Sequence, residues 1–275
     1  MHFASIYKIH GCMACKQNWL KSFPERDRQR ATEAMQLYED AQKLLKNCDE
    51  LFFTNAKVAI IPARSEKEDI ILYCNESAKR LPLLRQQITD NEGLCKCLSD
   101  YVLPINTIPT EKNIGVADHI GVFACCTDKE FEEKASDDEY LHLLHQTLAD
   151  RLAEATAERL HELVRKDIWG YAPNEHLCIE DLFSEKYQGK RPAVGYPSLP
   201  DQSLNFLIDE ILDFSSIGIR LTENGAMKPH ASTSGLMFAH PEVKHFCVGK
   251  IGMDQLSDYA KRRNVSTEYI KKFLV

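Results

Sequence analysis

The sequence predicts an α+β fold: a single curved domain on a mainly antiparallel, twisted sheet with flanking helices. Three observations lead there. Long amphipathic segments are segregated from short, hairpin-like apolar runs. No regular strand–helix–strand alternation appears, as a parallel sheet would require. No Gly-x-Gly-x-x-Gly follows a strand-like run, so a doubly wound dinucleotide-binding sheet is not expected.

The elements follow in chain order. Ser22-x-x-Glu25 has the form of a capping box with Pro24 in the first turn, and Ala34, Leu37, Ala41, Leu44 and Leu45 recur behind it at helical spacing. Lys57–Pro62 and Asp69–Cys74 read as two strands about the polar turn Arg64-Ser-Glu-Lys67. Ala78–Ile88 reads as helix and Val116–Cys126, rich in Val, Ile and Phe, as strand. Thr127–Glu139 carries seven acids against two lysines, the pattern of a solvated loop leading into a helix. That helix should be long: Leu141, Leu144, Leu148, Leu152 and Ala155 form an apolar stripe.

Beside the stripe runs a polar row, Glu154, Glu158, His161 and Arg165. On an open surface such a row makes ion pairs worth roughly 0.2–0.5 kcal/mol each. Beside a cleft its carboxylates can hold a cationic group. Gly170 and Pro173, within Trp169-Gly-Tyr-Ala-Pro-Asn-Glu175, end the helix. Gly189–Pro200 holds three prolines and two glycines in twelve residues, which makes it a rigid, irregular loop with exposed amides, suited to binding a ligand. Phe206–Phe214 is helical in pattern. Ser232–Ala239 and His245–Ile251 read as a strand pair joined at His240-Pro241. Asp254 is the expected N-cap of Gln255–Arg263, and Ser266 that of a last short helix ending at Phe273.

The 275 residues allow one large domain or two ordinary ones. With 44% hydrophobic and 27% charged residues the chain can bury a core and is not disordered. A net charge of −7 argues against a broad nucleic-acid surface, while leaving room for a local basic pocket. No apolar run reaches about 18 residues, so no membrane-spanning helix is expected. Met1–Lys16 lacks the apolar region of a secretory signal, so the expected location is cytoplasmic. Of ten cysteines, Cys12, Cys15, Cys95 and Cys97 could offer four thiolates to zinc, but only one pair has knuckle spacing and no metal site is assigned. Cys74, Cys125, Cys126 and Cys247, in apolar runs, read as small buried hydrophobes. No nucleophile–base pair is visible, so no catalytic residue is assigned and the isolated chain is expected to be inactive.

Several long motifs occur together in order: Ala149-Asp-Arg-Leu-Ala-Glu-Ala-Thr-Ala-Glu-Arg-Leu-His-Glu-Leu-Val-Arg-Lys166, Trp169–Glu175, Tyr187-Gln-Gly-Lys-Arg-Pro-Ala-Val-Gly-Tyr-Pro197, Leu221-Thr-Glu-Asn-Gly-Ala-Met227, Ala231-Ser-Thr-Ser-Gly235 and His240-Pro241. In these the chain resembles the activation domain of cobalamin-dependent methionine synthase. The likeness is densest over 137–275, runs more loosely back to about Ala34 through Ala59–Pro62 and Asp118–Gly121, and leaves 1–30 as a divergent N-terminal segment of one domain spanning 1–275.

The resemblance implies S-adenosylmethionine bound in a shallow groove of a single α+β domain. It implies a methyl group passed to reduced cobalamin, and an electron supplied by flavodoxin or an equivalent reductase. It places Arg191 on the ligand carboxylate, Ala193 and neighbouring amides on the adenine edge, and Tyr196 on adenosine. Gly195 would allow close backbone approach, and Glu154, His245 and Phe246 would complete the site. This chain lacks the cobalamin signature Asp-x-His-x-x-Gly, since Asp118-His119-Ile120-Gly121 has different spacing. Cobalamin is therefore expected on a partner module in trans.

Two positions depart from the family. Its Asp-Trp-x-Pro-Phe-Phe segment, whose Asp contacts the ligand amino group, is replaced by Ile6-Tyr-Lys-Ile-His-Gly-Cys-Met-Ala-Cys15. Its Lys-Tyr-Phe is Lys244-His245-Phe246. The N-terminal departure motivates an alternative, a corrinoid-protein docking module that no longer binds S-adenosylmethionine.

Overall fold

The computed structural model describes residues 23–48, 53–74, 77–89, 93–106, 118–132 and 138–274. Ser22, Cys12 and Cys15 lie outside them, so the capping box and the four-thiolate set concern residues in part not described. The first helix, α1 (Glu25–Cys48), buries Ala34, Leu37 and Ala41 of the expected stripe, and Ala31 besides, while Leu44 and Leu45 are half-buried. Next come β1 (Thr54–Glu66) and β2 (Asp69–Cys74), an antiparallel hairpin. The turn lies at Lys67-Glu68, later than expected, with Lys67 at φ 55°. Arg64, Ser65 and Glu66 stay in the ladder opposite Ile71, Ile70 and Asp69.

The expected helix at Ala78–Ile88 is instead an edge strand, β3 (Ser77–Pro82), paired antiparallel with β2 and followed by irregular chain. Pro82 would have removed a hydrogen bond from the interior of that helix, whereas the end of an edge strand tolerates it. β4 (Asp118–Thr127) matches the expected strand from Asp118 on, Val116 lying outside the described residues, and is buried almost throughout, because both sheet faces are covered. A short α2 (Lys129–Glu132) leads towards α3 (Glu139–Leu163), whose N-cap Asp138 accepts hydrogen bonds from the amides of Tyr140 and Leu141.

The stripe on α3 winds further round the helix than the leucine spacing suggested. Leu141 and Ala155 are exposed. Leu144, Leu148, Ala149 and Ala153 pack on α1, while Ala157, Leu160 and Val164 pack on the sheet against Phe123, Cys125 and Met237. α3 thus has two partners, and its small residues let it lie close to both. It ends in a π-helical turn, Val164–Ile168, before Gly170 at φ 73°.

The chain continues through α4 (Ile179–Phe183), α5 (Leu204–Leu212), the small hairpin β5 (Arg220–Leu221) and β6 (Met227–Lys228), β7 (Ser232–Met237), α6 (Met253–Arg262) and α7 (Thr267–Lys271). The main sheet has the order β3-β2-β1-β4-β7, antiparallel throughout. Its other face carries the largest core, where Ile61, Leu72, Ile120 and Val122 meet Leu204, Ile208 and Leu212 of α5. Ser266 caps α7 through the amide of Tyr269, as expected. α6 is capped at Gly252, not Asp254.

His245–Ile251 is not a strand. One edge of β7 is taken by β4 and the other by residues 190–194, so no ladder is left for it. Cys125 and Cys126 are buried as expected, with the Cys125 thiol pushed up to about 12 by desolvation. Cys74 is half-buried and Cys247 exposed, contrary to expectation. Among the described residues no group of three or more His, Cys, Asp or Glu is placed to hold a metal, and no helix is long and apolar enough to cross a membrane.

Candidate functional site

The chain from Lys190 to Pro200 is a strap laid along the free edge of β7. Lys190 and Phe238 exchange backbone hydrogen bonds of 3.0 and 2.9 Å, the Val194 amide donates to Ser234 O (2.9 Å), and that of Leu236 donates to Pro192 O (3.0 Å). Two of the amides expected to be exposed are therefore spent on the sheet. Gly235 makes this seat possible: a Cβ there would lie 2.3 Å from Pro192 O and 2.8 Å from Ala193 Cα. The conspicuous Ser-Gly of the 231–235 motif is explained by this close approach.

Between the strap, the C-terminal half of α3 and the 245–247 segment lies a groove of about 650 Å³. Six of the seven expected site residues line it: Arg191, Ala193, Tyr196, Glu154, His245 and Phe246. Gly195 is not among the lining residues. It turns the strap at φ 86°, and its amide donates to Leu199 O (2.9 Å). Tyr196 is 54% exposed rather than core, and its hydroxyl donates to Glu154 Oε1 at 3.3 Å, tying the strap to α3. Burial and that carboxylate both raise the Tyr196 phenol above its ordinary value.

Arg191 is the polar centre. Its Nη2 lies 2.8 Å from Glu158 Oε2, and its Nη1 donates to the Tyr187 hydroxyl (3.3 Å) and faces His161 Nδ1 (3.5 Å). Burial opposes the charge on Arg191, but Glu158 outweighs it, and the guanidinium pKa ends above its ordinary value. Under it sits a second cation, Arg165, 0% exposed and gripped side-on by Glu175 with contacts of 2.7–3.0 Å. Its guanidinium lies 4.4 Å over the Tyr187 ring.

The polar row of α3 is therefore no surface ion-pair ladder. It runs from exposed Glu154 through half-buried Glu158 to fully buried His161 and Arg165. Across the groove Glu185 holds Lys190 Nζ at 2.9 Å and lies 3.9 Å from His245 Nε2. Burial alone would raise the Glu185 carboxyl, but Lys190 holds it below its ordinary value. Burial lowers the His245 pKa, with Lys190 and Arg191 adding to the effect and Glu185 opposing it.

Tyr187, Glu185, Thr233 and Cys247 also line the groove, none of them expected there from the sequence, while Glu158, beside Arg191, belongs to the helix row whose carboxylates the sequence offered to a cationic group. The i+3 and i+4 spacing from Glu154 to Arg165 was the available signal for Glu158. Nothing local marks Glu185, which reaches the groove only because the strap folds back on β7.

The α+β domain thus carries an Arg-centred groove under a proline-stiffened strap, lined by both cationic and anionic side chains, which is the form of a small-ligand site. Residues 2–264 match the family described as vitamin B12 dependent methionine synthase, activation domain, and the chain belongs to it. It is similar to a crystal structure of the MetH reactivation domain bound to AdoHcy, with 36% identity and a TM-score of 0.84, over 98% of this chain and 82% of that one.

Proposed function

We propose that this chain binds S-adenosylmethionine in the groove and acts as the reactivation component of a split cobalamin-dependent methionine synthase. The observation that carries this is the donor count at Arg191. Glu158, Tyr187 and His161 engage both Nη1 hydrogens and one on Nη2, which leaves Nε–H and one hydrogen on Nη2 for a ligand carboxylate. Beside it Glu158 Oε1 is buried with no hydrogen-bond partner among the described residues. Glu154 and Glu185 supply negative charge for the ligand's ammonium and sulfonium groups, while Tyr196, Phe246 and Ala157 offer apolar surface to adenosine.

When bound, the ligand would supply a methyl group to cobalamin held by a partner module in trans, with an electron from flavodoxin or an equivalent reductase. The chain's own contribution is position and electrostatics. The alternative, a docking module without ligand, is favoured only by the missing N-terminal Asp. Calorimetric titration with S-adenosylmethionine separates them. Binding is expected, weakened roughly ten- to hundredfold by Arg191→Ala, the cost of losing charge-assisted hydrogen bonds. No heat at millimolar ligand would leave only the docking role; an Arg191→Ala variant that binds as well as wild type would show the ligand is held elsewhere. Methylcobalamin formation with and without a cobalamin-binding partner tests the reactivation step itself.

A further inference from the structure

Beneath Arg191 lies a residue the ligand cannot touch. His161 is 0% exposed, and its ring stands edge-on to Tyr187 with centroids 5.2 Å apart and planes at 88°. Its Nδ1 faces Arg191 Nη1 at 3.5 Å, and its Nε2 faces the Tyr171 hydroxyl at 3.4 Å. A guanidinium can only donate, so Nδ1 must accept and carries no hydrogen. The hydrogen of the neutral ring is then on Nε2, pointing at Tyr171 Oη.

We propose that His161 is a positioning residue for carboxylate recognition, a neutral acceptor that aims Arg191 without consuming its charge. The inference rests on the reading of the groove given above. The surrounding charges support it. Arg165 is matched by Glu175, Arg191 by Glu158 and Lys190 by Glu185, so a protonated His161 would be an unmatched cation among three others. Burial first, then Arg165, Arg191, Lys190 and His245, push its pKa down to about 2. A carboxylate at this position would pair with Arg191 and compete with the ligand. An aliphatic residue would leave Nη1 one acceptor short and the guanidinium free to tilt.

The test uses two ligands, S-adenosylhomocysteine and 5′-methylthioadenosine, the second lacking the amino acid carboxylate. His161→Leu should weaken S-adenosylhomocysteine roughly tenfold and leave methylthioadenosine within about twofold. His161→Asn, whose amide oxygen can occupy the place of Nδ1, should hold S-adenosylhomocysteine within about threefold of wild type. Should His161→Leu fail to fold, His161→Gln, which reaches the Nε2 side instead, takes its place with the same expectation. Equal losses for both ligands, or Asn as weak as Leu, would overturn the positioning role alone. A wild-type protein that binds no S-adenosylhomocysteine would overturn the groove reading and this inference together.

Discussion

His245 stands where the family has an aromatic hydroxyl, and its neighbours decide what the exchange does. It faces Glu185 at 3.9 Å, with Lys190 and Arg191 beyond, and its pKa lies below the ordinary 6.5. At neutral pH the ring is uncharged, and Glu185, held by Lys190 on one side, keeps its negative charge towards the groove. On acidification, at a pH lower than an ordinary imidazole requires, the ring gains a proton, faces Glu185 as a cation and adds positive charge to the groove. Affinity for S-adenosylmethionine should therefore fall as pH drops through that window, and fall less for S-adenosylhomocysteine, which has no sulfonium. His245→Tyr should remove the acidic limb; titrations at about pH 5.5 and about pH 7.5 compare the two proteins. A limb that survives the substitution would assign it to another group. That His245 lines the groove was legible through the family resemblance of Lys244-His245-Phe246; that it shares Glu185 with Lys190 was not, since Glu185 lies some sixty residues earlier in a stretch without pattern.

At the scale of elements, the strap and the end of α3 carry the site. Gly235→Ala would drive a methyl group into Pro192 O, and the strap would have to lift from β7. We expect faster hydrogen exchange at the Val194 amide, now bonded to Ser234 O, and more than roughly tenfold weaker ligand binding. An unchanged Val194 exchange rate would mean the strap adapts in place.

Glu175→Ala would leave Arg165 buried and unmatched, a change that typically costs about 3–5 kcal/mol and should appear as a lower denaturant midpoint. A loss below about 1 kcal/mol would place water at the Arg165 guanidinium. Two misread elements share one cause. Ala78–Ile88 is rich in helix formers, yet Tyr73, Leu72 and Ile71 of β2 offer Ala78, Lys79 and Arg80 a ladder that propensity cannot see. Phe246 and Val248 alternate like a strand, but β7 has no free edge for them.

The whole molecule is a sheet between two helical layers, with α3 bridging the sheet and α1. The buried groups in that interior set its response to acid. His161 has a folded pKa of about 2 against an ordinary 6.5. Below 6.5 the unfolded chain binds a proton that the native state refuses, so stability falls as pH drops, by up to about 1.4 kcal/mol per unit. That window lies above the one where depressed carboxylates such as Glu162 and Asp181 act. Urea midpoints measured between about pH 6.5 and about pH 4.5 should decline in the wild type and decline less in His161→Asn. Equal slopes would place the acid sensitivity elsewhere.

The sequence by itself determined what is local: the apolar stripe of α1, the strand character of β1, β2 and β4, the Ser266 cap, the breakers after α3, and the motif residues that line the groove. Each follows from periodicity, capping or turn chemistry within a few residues, or from a motif of contiguous residues. Only the tertiary structure decided that β3 is a strand, that the strap takes the last edge of β7, and that half of the polar row of α3 is interior. These outcomes depend on which distant segment supplies a hydrogen-bond partner or excludes water, and neither is encoded in the residues' own neighbourhood.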